Sequence, residues 1–153
     1  TQPIPQGMTA VTPHLTCRNA NAAMDFYKRA FGAAEYGRLS GPDGKLMHGL
    51  INIGGASIML MDECVEQGMP SPQALNGSPV TLHLYVADVD AAVAQAVDAG
   101  AKITMPVADM FWGDRYGRLV DPFGHQWSIA THLRDLTSDE IREAAKAAQP
   151  KAG

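Results

Sequence analysis

Thr12-Pro-His-Leu-Thr-Cys-Arg-Asn-Ala-Asn-Ala-Ala23 and Thr81-Leu-His-Leu-Tyr-Val-Ala-Asp-Val-Asp-Ala-Ala92 are one motif written twice. Laid over each other at an offset of 69 (81 − 12), they share Thr, His, Leu and the Ala pair, while Asn19 and Asn21 meet Asp88 and Asp90. Five identities and two Asn/Asp exchanges in twelve positions exceed what chance supplies, and the same offset carries Gly55 onto Gly124. A long-period self-match is the mark of a repeated structural unit. The chain therefore reads as two copies of one unit, each about half its length.

Each copy carries the same order of signals. Val11 to Cys17 and Val80 to Val86 alternate as strands do. Asn19 and Asp88 then offer side-chain oxygens to cap a helix. Ala22, Ala23, Phe26, Tyr27 and Ala30 recur at helical spacing, and Gly100 closes the helix of the second copy. Three further strands follow in each copy, divided by turns at Gly41-Pro-Asp-Gly44, Gly54-Gly55, Gly113-Asp114 and Asp121-Pro-Phe-Gly124. The fold class is α+β, with two tandem β-α-β-β-β modules at about 8–63 and 80–132 in a single domain spanning 1–153. A linker rich in turn-forming residues occupies 64–79, and a final helix covers about 138–148 behind a Thr137/Glu140 capping box. That helix is Ala-rich and charged, which suits a surface or a partner subunit better than a core.

Composition narrows the function. With 12 basic and 16 acidic residues the net charge is −4, which argues against a general nucleic-acid binder. Apolar residues at 46% and charged ones at 18% fit a globular chain. No apolar run reaches a membrane span, and Thr1 to Thr9 lacks a signal-peptide pattern, so no membrane partner is expected. Cys17 and Cys64 form no C-x-x-C, which weighs against a disulfide framework or a structural zinc site and makes a reducing cytoplasm the expected compartment.

Two stretches, Asn19 to Gly32 and Gly113 to His125, make the chain resemble the vicinal-oxygen-chelate superfamily of glyoxalases, fosfomycin- and bleomycin-resistance proteins and extradiol dioxygenases. The resemblance covers about Met8 to His132. It implies that the two modules form a half-open eight-stranded barrel whose concave face holds a ligand, commonly in a homodimer. Exposed sheet edges and the prevalence of twofold dimers point the same way.

In the metal-dependent members a His, Gln or Glu opens each module's first strand and a carboxylate or similar ligand stands on its last. Here those positions fall on Thr12, Met59, Thr81 and Ser128. Hydroxyls are poor divalent-metal ligands and a thioether suits Cu(I), so no metal and no other cofactor is expected. His14 and His83 share strand faces with Thr12 and Thr81. They read as satisfied half-buried histidines, as ligand-contacting or general-base groups, or as displaced metal ligands. His48 and His132 are weaker candidates.

Trp112, in the loop-like Met110-Phe-Trp-Gly-Asp stretch, is the aromatic best placed for ligand contact, with Tyr85 and Tyr116 nearby and Trp127 better suited to core. Arg115 and Arg118, three apart on a strand, face opposite sides. Arg115 is expected to greet a ligand anion at the mouth of the cavity, and Arg118 to be a solvated rim charge. The methionines, Met59 among them, supply adaptable thioethers, and Cys17 packs as a small hydrophobe. The site expected from sequence is thus Thr12, His14, Met59, Thr81, His83 and Ser128, with Trp112 and Arg115 at its mouth. Two functions are open to such a site. One is a metal-free small-molecule binding protein, of bleomycin-resistance type, for an aromatic or hydrophobic compound. The other is a glyoxalase-like lyase or isomerase using His14 and His83 as acid/base groups or shifted metal ligands.

Overall fold

Asn19 and Asp88 each accept a bond from a backbone N–H three residues on, Ala22 and Ala91, at 3.1 Å, and each opens a helix. A second repeat-related pair reinforces them. Asp62 accepts from the amide of Ala20 at 3.0 Å and Thr131 from that of Val89 at 2.9 Å, and 131 − 62 restores the offset of 69. Helix N-termini present orphan N–H donors, and here the last strand of each module satisfies one.

The computed structural model describes residues 1–149. The first module runs β1 (His14–Cys17), α1 (Ala20–Phe31), β2 (Ala34–Ser40), β3 (Leu46–Ile53) and β4 (Ala56–Asp62). After a short helix α2 (Pro72–Leu75) the second runs β5 (Thr81–Tyr85), α3 (Val89–Ala99), β6 (Lys102–Asp109), β7 (Asp114–Val120) and β8 (Gln126–His132). Helix α4 (Ser138–Ala148) follows, with both bonds of the Thr137/Glu140 capping box formed. Strand order is β1-β4-β3-β2 in one sheet and β5-β8-β7-β6 in the other, with β1/β4 and β5/β8 parallel and the other pairs antiparallel. The sheets do not close on each other, so the eight strands form a half-open arrangement. None of the described helices is long and apolar enough to cross a membrane.

The repeat is broken at one register position. Ser128 corresponds to Met59 at an offset of 69, yet the residue paired with Ser128 is Arg118, and the residue paired with Met59 is Leu50, an offset of 68. The Asp121–His125 turn shifts β7 by one residue along β8, and a shift of one exchanges the faces of a strand.

Strand β1 starts at His14, three residues later than the alternation suggests. Pro13 brings no N–H to a ladder, and Thr12 spends its hydroxyl on the carbonyl of Thr9 at 3.0 Å. The stretch between the modules is also more ordered than a linker. Ser71 caps α2 through the amide of Ala74 at 3.2 Å, Pro72 occupies the first helical turn, and the buried Ser71 hydroxyl bonds Glu63.

A continuous core lies between the helix-bearing faces of the two sheets. Helix α1 buries Ala20, Ala23, Met24, Phe26, Tyr27 and Ala30. It sits close to β3 because residue 49 is glycine: a Cβ there would fall 2.5 Å from Met24 Sδ. The modules join at the buried carboxylate of Asp121. It accepts bonds from the Tyr27 hydroxyl at 2.5 Å, Trp127 Nε1 at 2.9 Å, and the amides of Phe123 at 2.9 Å and His125 at 3.0 Å. Burial first, then the adjacent carboxylate, hold the Tyr27 hydroxyl well above its usual titration range, so it stays a donor. Phe31 lies 4.6 Å from the Trp127 ring, and Phe26 and Phe123 surround the bond. Cys17, fully buried, has its thiol pushed up by burial and then by Asp121 and Asp62, which leaves it inert.

Removing one donor from a buried carboxylate leaves desolvation uncompensated. Tyr27→Phe is expected to cost about 1–3 kcal/mol, and Asp121→Ala more, because several donors lose their acceptor together. Urea unfolding followed by tryptophan fluorescence and circular dichroism measures both. Unchanged midpoints would show that the inter-module bond contributes nothing.

Candidate functional site on the helix-free face of the second sheet

Strand alternation sends Trp127, Ile129 and Leu119 toward the helices and Thr81, His83, Tyr85, Tyr116, Arg118 and Ser128 to the opposite, helix-free face. There they form a connected cluster. His83 Nδ1 lies 2.6 Å from the Ser128 hydroxyl, which fixes the ring and leaves Nε2 without a protein partner among the described residues. The His83 ring meets Tyr85 edge-on at 4.5 Å and stacks on Tyr116 at 5.9 Å with 22° between planes. Arg118 Nη2 donates to the Thr81 hydroxyl at 2.8 Å, and Nη1 to the Tyr116 hydroxyl at 3.2 Å. At one end of the strip Trp112 stands edge-on to Tyr116 at 5.3 Å, its Nε1 bonded to Asp114 at 3.1 Å. Asp114, itself buried, also engages His132 Nδ1 at 2.7 Å, and His132 Nε2 reaches Asp135 at 2.7 Å.

The corresponding face of the first sheet has a different chemistry. His14 pairs with Met59 across β1 and β4, and Met61 and Leu50 extend an apolar strip. His14 and His48 meet edge-on at 6.2 Å. Desolvation, then the neighbouring His48, hold His14 below the usual histidine value. Residues Gln6 to Met8 lie against the far end of this face, where the Ser57 hydroxyl bonds the Gly7 carbonyl at 3.0 Å.

The residues singled out from sequence thus fall into two groups. Thr81, His83 and Ser128 are in mutual contact, with Trp112 joined to them through Tyr116. His14 and Met59 lie on the other sheet, and Thr12 is drawn into its own local turn.

Arg115, expected at the mouth of the cavity, lies on the helix side, where its guanidinium binds Asp90 at 2.8 Å and Asp109 at 2.9 Å, and those carboxylates raise its pKa further. The arginine on the helix-free face is Arg118. The face of each depends on the one-residue shift of β7, which spacing within the strand does not reveal. The same shift gives Tyr116 a central place in the strip, beyond the neighbouring role its position suggests.

The donor set does not fit a divalent metal. Of the four positions where metal-dependent relatives carry ligands, Thr12 and Thr81 hold hydroxyls already bonded to Thr9 and Arg118, Ser128 is bonded to His83, and Met59 is a thioether. The Arg118 guanidinium, 2.8 Å from Thr81 Oγ1, places a fixed positive charge where a cation would sit. Among the described residues no group of three or more His, Cys, Asp and Glu is arranged to hold a metal ion.

A cleft of about 260 Å³ opens elsewhere, at the seam of β1 and β5, lined by Pro13, Pro70, Pro72, Leu75, Pro79 and Leu82 among others. Of its lining side chains, His125 is spent on the Thr16 carbonyl at 2.9 Å and Gln126 on that of Ser78 at 3.2 Å, while His14 also borders it. It offers shape with few convergent polar groups, so the strip on the second sheet is the stronger candidate.

Comparison with known proteins agrees with this architecture. The family model of the Glyoxalase/Bleomycin resistance protein/Dioxygenase superfamily matches residues 8–129. An uncharacterised Mycobacterium bovis protein is 47% identical over 139 residues, covering 88% of this chain and 91% of that one. An uncharacterised Arabidopsis thaliana protein is 38% identical over 129 residues, covering 79% and 76%. Among solved structures, a gene product of Arabidopsis thaliana superposes with a TM-score of 0.66 at 33% identity, covering 80% of this chain and 98% of that one. TioX from Micromonospora sp. ML1 gives 0.64 at 27% identity, covering 82% and 99%.

The two exposed histidine environments separate by titration. His132 is raised above the usual value by its bonds to Asp135 and Asp114, whereas His14 is lowered. His132 therefore adds stability below its unfolded pKa that disappears as pH rises through its folded value. His14 adds stability at neutral pH that disappears as pH falls from its unfolded toward its folded value. Proton NMR titration should place His132 above 6.5 and His14 below it; the reverse order would refute both environments. Metal analysis after equilibration with zinc or nickel should find no stoichiometric ion, and the paired change His14→Gln with His83→Gln should leave that result unchanged. Stoichiometric metal lost in the double variant would show that the ligand set has moved onto the histidines.

Proposed function

Because this chain belongs to the glyoxalase/bleomycin resistance protein/dioxygenase superfamily, we propose that it is a metal-free small-molecule binding protein whose ligand is a flat aromatic compound held on the helix-free face of the second sheet. The observation that carries this reading is the contiguous ring strip of His83, Tyr85, Tyr116 and Trp112, bordered by Thr81, Arg118 and Ser128. Rings in this arrangement offer stacking faces, and the hydroxyls and guanidinium beside them fix orientation.

An open sheet face does not desolvate a ligand by itself. Both helix-free faces carry exposed apolar side chains, Tyr36 (65%) and Leu39 (59%) on the first sheet and Tyr85 (64%) and Met105 (41%) on the second. Surfaces of this kind favour association. The proposal therefore includes a homodimer in which the second sheet of one chain faces the first sheet of the other, enclosing the ligand between the ring strip and a wall of Met59, Met61 and Leu50 with His14 and His48.

A lyase or isomerase activity is the second reading. It is favoured by His83, whose ring is fixed through Nδ1 by Ser128 while Nε2 stays open to the face. His14, with its lowered pKa, would supply a neutral imidazole from the opposite wall of such a dimer.

Binding of 2-naphthamide, a neutral bicyclic probe, tests the leading reading by calorimetry. Tyr116→Leu should weaken it about two- to tenfold, the worth of one aromatic contact. Light scattering should give twice the chain mass. No binding, or a monomer at high micromolar concentration, would contradict the proposal.

A further inference from the structure

Three arginines in this protein are half-buried: Arg38, Arg115 and Arg118. Arg38 is met by Asp25 and Glu35, and Arg115 by Asp90 and Asp109. Arg118 makes its two bonds to neutral oxygens, the hydroxyls of Thr81 and Tyr116. Every neighbouring element contributes an uncharged side chain: Thr81 from β5, Met105 from β6, Tyr116 from β7 and Ser128 from β8. In a chain with 16 acidic residues against 12 basic ones, this half-buried guanidinium has no carboxylate partner among the described residues.

We propose that Arg118 is the anion-recognising group of the site, and that the ligand is a planar aromatic carboxylate. The inference rests on the binding function proposed above and names the chemical class it serves.

A guanidinium carries five N–H donors in a fixed fork suited to two carboxylate oxygens. Two of the five are spent on Thr81 and Tyr116, which hold the group in place. Among the described residues no side-chain nitrogen or oxygen is buried without a partner, so Arg118 Nε, which has none, is reachable from solvent. A partly desolvated charge without a counter-ion is costly, and an anionic ligand removes that cost.

The Tyr116 hydroxyl ties the guanidinium to the ring strip. A ligand ring lying along His83 and Tyr116 therefore brings a carboxylate on its edge to Arg118. The corresponding residue of the first sheet is Leu50, so the charge is no consequence of the repeat. The same charge that disfavours a metal cation at Thr81 favours an oxyanion there.

Calorimetry with 2-naphthoate and its neutral isostere 2-naphthamide tests the inference on the unaltered protein. The carboxylate is expected to bind about tenfold or more tightly than the amide, in line with a charge-assisted bond, and the advantage should shrink at high salt. Arg118→Met should abolish the preference, weakening the carboxylate by a larger factor than the amide, and Arg118→Lys should keep part of it. Equal affinities in the unaltered protein would overturn the role of Arg118 while leaving aromatic binding intact, whether water or a carboxylate of a second chain occupies the guanidinium. Failure of both probes to bind would overturn the binding function and this inference together. A carboxylate preference that survives in Arg118→Met would place the anion site elsewhere.

Discussion

The two modules are held in one arrangement by a buried carboxylate, and the character of the site depends on where that carboxylate stands. Asp121 gathers the Tyr27 hydroxyl from α1, the Trp127 indole from β8 and two amides of its own turn. These bonds lock the helix of the first module against the helix-bearing face of the second sheet. They also fix the conformation of the turn between β7 and β8, and through it the register that turns Arg118 and Tyr116 outward. Core packing, inter-module geometry and the chemistry of the helix-free face thus share one interaction.

With helices and aromatic core filling the space between the sheets, both helix-free faces turn away from the centre of the chain. The repeat then diverges where divergence affects chemistry. The first face is thioether-rich and apolar around Met59, Met61 and Leu50, and the second is a strip of rings and hydroxyls around one guanidinium. Each wall alone is open, and two such walls brought together would enclose an amphipathic space. The four positions carry no strong metal donor, and the Arg118 guanidinium donates to the hydroxyl of one of them, Thr81.

Much of the fold is legible in the sequence because the repeat reports it twice. The offset of 69 locates both helices, their Asn19 and Asp88 caps and all eight strands to within a few residues. Features outside the repeat are harder to read. Pro13 truncates β1 and removes Thr12 from the face its partner Thr81 occupies. Ser71-Pro72 starts a helix inside an expected linker. Spacing places Arg115 and Arg118 on opposite faces, as the structure has them, yet which face is which depends on a one-residue shift generated by the Asp121 turn. Period-two patterns fix relative sides, and only pairing with a neighbouring strand fixes the absolute one. His83 and Ser128 are recoverable because they lie on strands that keep the repeat register. Arg118 lies on the strand that does not.

The most direct measurement is an electron-density map of the protein crystallised with 2-naphthoate. The account predicts the naphthalene ring along His83 and Tyr116 with its carboxylate on the Arg118 guanidinium, covered by the first sheet of a second chain. Density for the ligand in the proline-lined cleft between β1 and β5, with the Arg118 face empty, would contradict it.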